Sequence, residues 1–176
     1  MAAKVTRDVL ESYLNCKTKA YLRLAGQQGS VSDYESLLVV NRQEVRQTAI
    51  DKILAKQHGG EIVRDISLTA DALRAGPSIV LDATLEDGLL SVHFDGLKRL
   101  DGPSKLGDFH YVPMLFREGR KVGREQRVIL EVFGLLLSQI QGKPPAYGIL
   151  WHGKAHFPHI AAAISLNFPS PDHMAG

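Results

Sequence analysis

Apolar positions along this chain follow a helical period first and a strand period later. In "TRDVLESYLNCKTKAYLRLAG", Val9, Leu10, Tyr13 and Leu14 share one helical face, and Tyr21 and Leu24 continue it. Thr6 is placed to cap the start and Gly26 to stop the end. Ser32 and Glu35 have capping-box spacing at the head of a second helix. That helix runs to Gly59 and Gly60, with Leu37, Leu38, Val45, Ile50 and Ile53 predicted to face inward.

Beyond the glycine pair the pattern changes to strands. "EIVRDISL" predicts a short strand and "DALRAG" a connector. "PSIVLDATL" and "LLSVHFDGLKRL" predict two strands joined by the hairpin signal "EDG". "GPSKLG" makes a further turn into "DFHYVPMLF", where Pro113 predicts an irregular or edge position. "RVILEVFGLLLSQIQG" is a strongly apolar helix closed by Gly142, with Pro144 and Pro145 beyond it. "AYGILWHG" is a last short strand. The helix between the last two strands is long enough for a crossover, which predicts that they run parallel. Residues 1–153 therefore read as one α/β domain in the order α-β-β-β-α-β, a mixed sheet with flanking helices. Residues 154–176 read as an irregular tail.

Composition narrows the function only slightly. The 176 residues carry a net charge of +2, too little to argue nucleic-acid binding without local clustering. No segment is apolar and long enough to span a bilayer, so no membrane partner is expected. The N-terminus shows no secretory pattern. Cys16 is the only cysteine, which excludes an internal disulfide or a cysteine-only zinc site within one chain. These features predict an intracellular, cytoplasmic setting.

The order of elements, together with particular words, resembles the PD-(D/E)xK nuclease superfamily and its restriction-endonuclease-like core. Leu10, Tyr13, Cys16, Lys19, Tyr21 and Leu22 are similar to the N-terminal motif of RecB-like nucleases, including the CRISPR-associated RecB-like exonucleases. "FDGLKRL" resembles the strand that carries the family's metal-binding aspartate, which falls on Asp95. The resemblance covers roughly residues 6–153. It implies a Mg²⁺- or Mn²⁺-dependent nuclease acting on nucleic acid, DNA in the first instance. A catalytically degenerate module that binds nucleic acid or protein is the alternative. The family's acid-x-Lys triplet falls on "YVPMLF", which has neither acid nor lysine, and its glutamine–tyrosine helix pair falls on Ile129 and Phe133. The iron–sulfur cluster of some relatives needs three further cysteines beside Cys16, which is itself expected to be a small buried helix residue.

Phosphodiester hydrolysis in such a site needs two carboxylates on one metal ion and a cation beside the developing charge. Asp95 is the first candidate ligand. Asp108 and His110 read as an acid-x-His version of the triplet, on one strand face because the strand period is two. In another register Arg117 takes the lysine's place, with Leu115 where the acid belongs. Glu131 on the next helix is a third candidate. Phe94 and Leu97 are expected to wall the site. Arg117, Arg120, Lys121, Arg124 and Arg127, with Lys17, Lys19 and Arg23, are the candidate phosphate contacts. His152, His156 and His159 read as incidental histidines of a loop.

Overall fold

The computed structural model describes residues 3–27, 29–30, 32–56, 59–118, 122–153 and 160–168. The N-terminal helical pattern gives β1 (Val5–Thr6), α1 (Arg7–Asn15), α2 (Lys17–Leu24) and α3 (Asp33–Lys56). Thr6 caps α1, its hydroxyl accepting from the Val9 N–H at 3.4 Å. Cys16 is extended and breaks the segment into two helices. Then follow β2 (Ile62–Ser67), α4 (Ala70–Arg74), β3 (Ile79–Glu86), β4 (Leu90–Ser104), β5 (Gly107–Glu118), α5 (Arg124–Gln141), β6 (Tyr147–Gly153) and β7 (Ile160–Ser165). Gly142 ends α5 with φ at 65°, the left-handed cap expected of a glycine there.

Among the described residues the sheet has seven strands, in the order β2-β3-β4-β5-β6-β7, with β1 on β4. The run β3, β4, β5 is an antiparallel meander, and β5-α5-β6 is the parallel crossover. The α-β-β-β-α-β order and the mixed α/β sheet with flanking helices are therefore present. On one face, Ile129, Leu130, Phe133 and Leu137 of α5 pack on Phe94, Leu97, Tyr111 and Leu115. On the other, Ala49, Ile50 and Ile53 of α3 pack on Leu81, Met114, Phe116 and Trp151. No described helix is long and apolar enough to cross a membrane.

Several expectations are corrected. Tyr13 of α1, Tyr21 of α2 and Leu37 of α3 are exposed rather than turned inward. Cys16 is exposed at the α1–α2 junction rather than buried. "DALRAG" contains a short helix, its Thr69 cap accepting from the Ala72 N–H. The tail includes a strand, β7, antiparallel to β6, with Ile164 and Leu166 buried between exposed neighbours.

Pro113 lies in a central strand. Gln141 bonds both the N–H and the C=O of Tyr111, so β5 residues of that parity point their amides away from β4. β6 begins to pair only at Met114. The missing N–H of Pro113 therefore falls where no strand needs it.

Candidate functional site

The β4–β5 ladder runs from Ser104↔Gly107 back to Gly96↔Met114 and stops. Further along, β4 pairs instead with β1, through Val5↔Leu90 and Thr6↔Ser91. Between the two partners, the edge of β4 opens into a cleft of about 260 Å³, lined by residues from α1, α3, β4 and β5. α1 starts directly after β1, which delivers Arg7 to this gap. Asp95 is buried in it, and its carboxylate accepts from the Phe116 N–H at 2.9 Å, closing the ladder with a side chain.

Asp95 is already saturated by cations. Arg7 donates to both of its oxygens, at 2.6 and 3.2 Å, and Arg46 donates at 3.1 Å. Arg7 Nε also donates to Glu11 at 2.8 Å, and Glu11 takes Arg117 at 2.7 Å. Arg117 reaches Glu125 at 3.3 Å, while its buried Nε has no partner among the described residues. Arg7 stacks 5.6 Å from the ring centre of Phe133, and Arg46 lies 5.9 Å from that of Phe116. Burial alone would raise the Asp95 carboxyl. Arg7, the Phe116 amide and Arg46 outweigh it and hold the group below the usual carboxylate range. Glu11 is likewise lowered, burial being overcome by Arg117 and Arg7.

A second aspartate shares this network. The β3–β4 register runs Leu81↔Gly96 and then Ala83↔Phe94, which sets Asp82 across from Asp95. The β2–β3 register skips Asp65 and Asp82 in the same way, between Arg64↔Leu81 and Ile66↔Ala83. Asp65, Asp82 and Asp95 thus form one row across three strands. Asp65 and Asp82 have φ of 53° and 56°, the left-handed region that costs a non-glycine residue strain. The kink reverses the facing of β3: Val80 and Ala83 share one core face, and Leu81 lies on the other. Like charges opposite one another on a sheet repel. Arg46 answers this by ion-pairing with Asp82 and Asp95 through two nitrogens of one guanidinium. Arg64 donates to Asp82 at 3.3 Å, and His93 Nε2 lies 3.4 Å from it.

The structure does not bring Asp108 and His110 to Asp95. Continuing the register sets Asp95 beside Leu115, and Asp108 lies seven residues further along β5, about 20 Å away at ~3.3 Å per residue. Asp108 is exposed at the turn, and His110 Nδ1 lies 3.2 Å from the Gly102 carbonyl. Glu131 does not line the cleft. Phe94 and Leu97 are fully buried in the α5-side core, and Phe116 is the aromatic wall instead.

Of the candidate phosphate contacts, Arg117 is buried and ion-paired, and Lys19 pairs with Glu35 at 3.0 Å. Arg127 bonds the Ser165 carbonyl at 3.2 Å, and Arg124 is exposed. Arg120, Lys121, His156 and His159 lie outside the described residues.

Two-acid coordination by Asp95 and Asp108 therefore does not fit these residues, and the acid-x-Lys place holds Leu115 and Arg117. Among the described residues no cluster of three or more His, Cys, Asp or Glu is arranged to hold a metal ion. The residues that make the site, Arg7, Glu11, Arg46 and Asp82, carried one readable signal: Asp82 is a lone acid inside the apolar run "IVLDATL". Comparison with protein-family models and with curated proteins gives no match for this sequence.

Proposed function

We propose that this chain is a nuclease-like module that binds nucleic acid without cleaving it. The observation that carries this reading is the saturation of Asp95 by Arg7, Arg46 and the Phe116 amide. A carboxylate engaged in this way has no free lone pair directed at a metal ion, and the adjacent strand offers Leu115 in place of a second acid. The cleft supplies the binding chemistry. Arg7, Arg42, Arg46 and Arg117 line it against Asp8, Glu11 and Asp95, so cations outnumber carboxylates there. Arg42 approaches Glu11 only to 3.9 Å and is half exposed, which leaves most of its donors for a phosphate.

Fluorescence anisotropy with labelled single- and double-stranded DNA tests the proposal. Affinity should fall with salt, at a log–log slope of about −0.7 per neutralised phosphate on single strands and −0.9 on duplex. Arg42→Ala should flatten the slope by about one such step. A salt-independent signal, or no binding to either strand form, would overturn it; binding to a protein instead would make the cleft a protein-docking site.

One observation favours a second reading, the metal-dependent nuclease. Asp82 faces Asp95, so a second acid does stand near the first, from β3 rather than β5. On that reading DNA is cut in Mg²⁺ or Mn²⁺, and both Asp95→Asn and Asp82→Asn abolish cutting.

A further inference from the structure

We propose that the chain pairs with a second copy of itself, through a two-fold contact that sets α1–α2 of each copy on the first half of α3 of the other. The inference is independent of the cleft. It starts from large apolar side chains that one copy leaves uncovered. Tyr13 and Tyr21 are 54% and 71% exposed, and Leu37 and Val40 are 61% and 52% exposed. Grouped apolar side chains on a folded surface mark interaction sites, and tyrosine is enriched where proteins meet.

Charge divides these side chains into two strips. Tyr13, Lys17 and Tyr21 follow at four-residue steps across the α1–α2 junction, and Lys17 Nζ lies 5.7 Å from the Tyr13 ring centre. α2 carries Lys17, Lys19 and Arg23 and no acid. On α3, Asp33, Leu37, Val40 and Glu44 recur at steps of four, three and four, which is one helical face. That face lies opposite the one that buries Val45, Ala49, Ile50 and Ile53, and α3 has no cation before Arg42. One strip is basic and aromatic, and the other is acidic and aliphatic.

The strips belong to neighbouring helices, since Lys19 Nζ meets Glu35 at 3.0 Å. Among the described residues, however, no ion pair engages Lys17, Asp33 or Glu44. The complementary charges are thus not used on each other within one copy. A surface that bears both halves of such a pair is self-complementary under two-fold rotation, and each contact then forms twice. The acids of α3 argue against a nucleic acid or an anionic membrane as the occupant, because they would repel its phosphates. By helical spacing the α3 strip also faces away from Arg42 and Arg46, so pairing leaves the cleft open.

Sedimentation velocity of nucleic-acid-free protein, from about 1 to about 200 μM, tests the proposal. The parent should dimerise within this range, less tightly as salt rises. Lys17→Glu and the double variant Asp33→Lys/Glu44→Lys should each weaken pairing at least about tenfold, because the two-fold axis repeats every like-charge contact. Mixed in equal amounts, these two variants should pair with each other as tightly as the parent pairs with itself. Each reversed strip then meets its reversed counterpart. Leu37→Ser/Val40→Ser should abolish the dimer and keep the parent's Tm in dilute solution. A parent that stays monomeric at the highest concentration would overturn the proposal, even if these strips bind lipid vesicles or DNA. Charge variants that dimerise like the parent would overturn it too, as would a mixture that stays monomeric.

Discussion

Asp108 at the hairpin end of the β4–β5 pair and Asp95 at its open end differ in almost everything that matters. At the hairpin end, Asp108 is exposed beside the turn. At the open end, Asp95 is buried, with two arginines and an amide on its carboxylate. The same side chain is a turn residue in one place and the hub of a charge network in the other. The difference comes from what each strand end faces. The hairpin end closes on itself, whereas the open end receives α1 through β1 and the middle of α3.

The largest effect should follow from breaking the hub. Asp95→Ala leaves the guanidiniums of Arg7 and Arg46 without their shared partner in a buried cleft, a loss of about 3–5 kcal/mol. Chemical denaturation measures it; a loss under about 1 kcal/mol would mean the arginines simply turn to solvent.

Next comes Gln141, fully buried, whose amide closes both backbone groups of Tyr111 and donates to the Lys143 carbonyl. Gln141→Leu should cost about 1–3 kcal/mol through the unpaired backbone groups. A variant with the parent's Tm would show that β5 finds other partners.

Acid should weaken the open end. His93 is lowered from its ordinary 6.5, first by burial and then by Arg46 and Arg7 against the pull of Asp95. Asp95 and Glu11 are lowered from 3.8 and 4.5. In each case the unfolded chain binds more protons, so stability rises with pH. The contribution of His93 is complete above its unfolded value and is lost as pH falls below it. That of the carboxylates is lost as pH falls through their lowered folded values. Unfolding free energy measured from pH 7 to 3 should fall in these two stages, and Asp95→Asn should shrink the second. An unchanged acid limb in that variant would place the stabilisation elsewhere.

The smallest effect belongs to the hairpin end. Asp108→Asn should change stability by no more than about 0.5 kcal/mol, as for an ordinary surface substitution. Loss of DNA cleavage in that variant, from a parent that cleaves, would restore Asp108 to a catalytic role.

Much of the scaffold is legible in the sequence because it depends on period. The helical run ending at Gly142 and the "EDG" hairpin specify α5 and the β3–β4 turn by local rules. Asp95 stands out as an acid within an apolar strand. Its partners do not stand out, because Arg7 and Arg46 lie 88 and 49 residues away and read locally as polar helix positions. Asp82 is as visible as Asp95, but nothing local says that the β3–β4 register sets the two side by side. The apolar face of Tyr13 and Tyr21 follows a helical period that predicts burial, yet burial also requires a surface to cover it. β7 escapes a local reading because alanines fill its middle, and a neighbouring strand rather than propensity holds it.

The central claim is that arginines, not a metal ion, satisfy the buried carboxylates of the cleft. Isothermal titration of the parent chain with Mn²⁺ at neutral pH tests it most directly. The account predicts no saturable heat up to millimolar ion. Stoichiometric uptake that disappears in Asp95→Asn would contradict it.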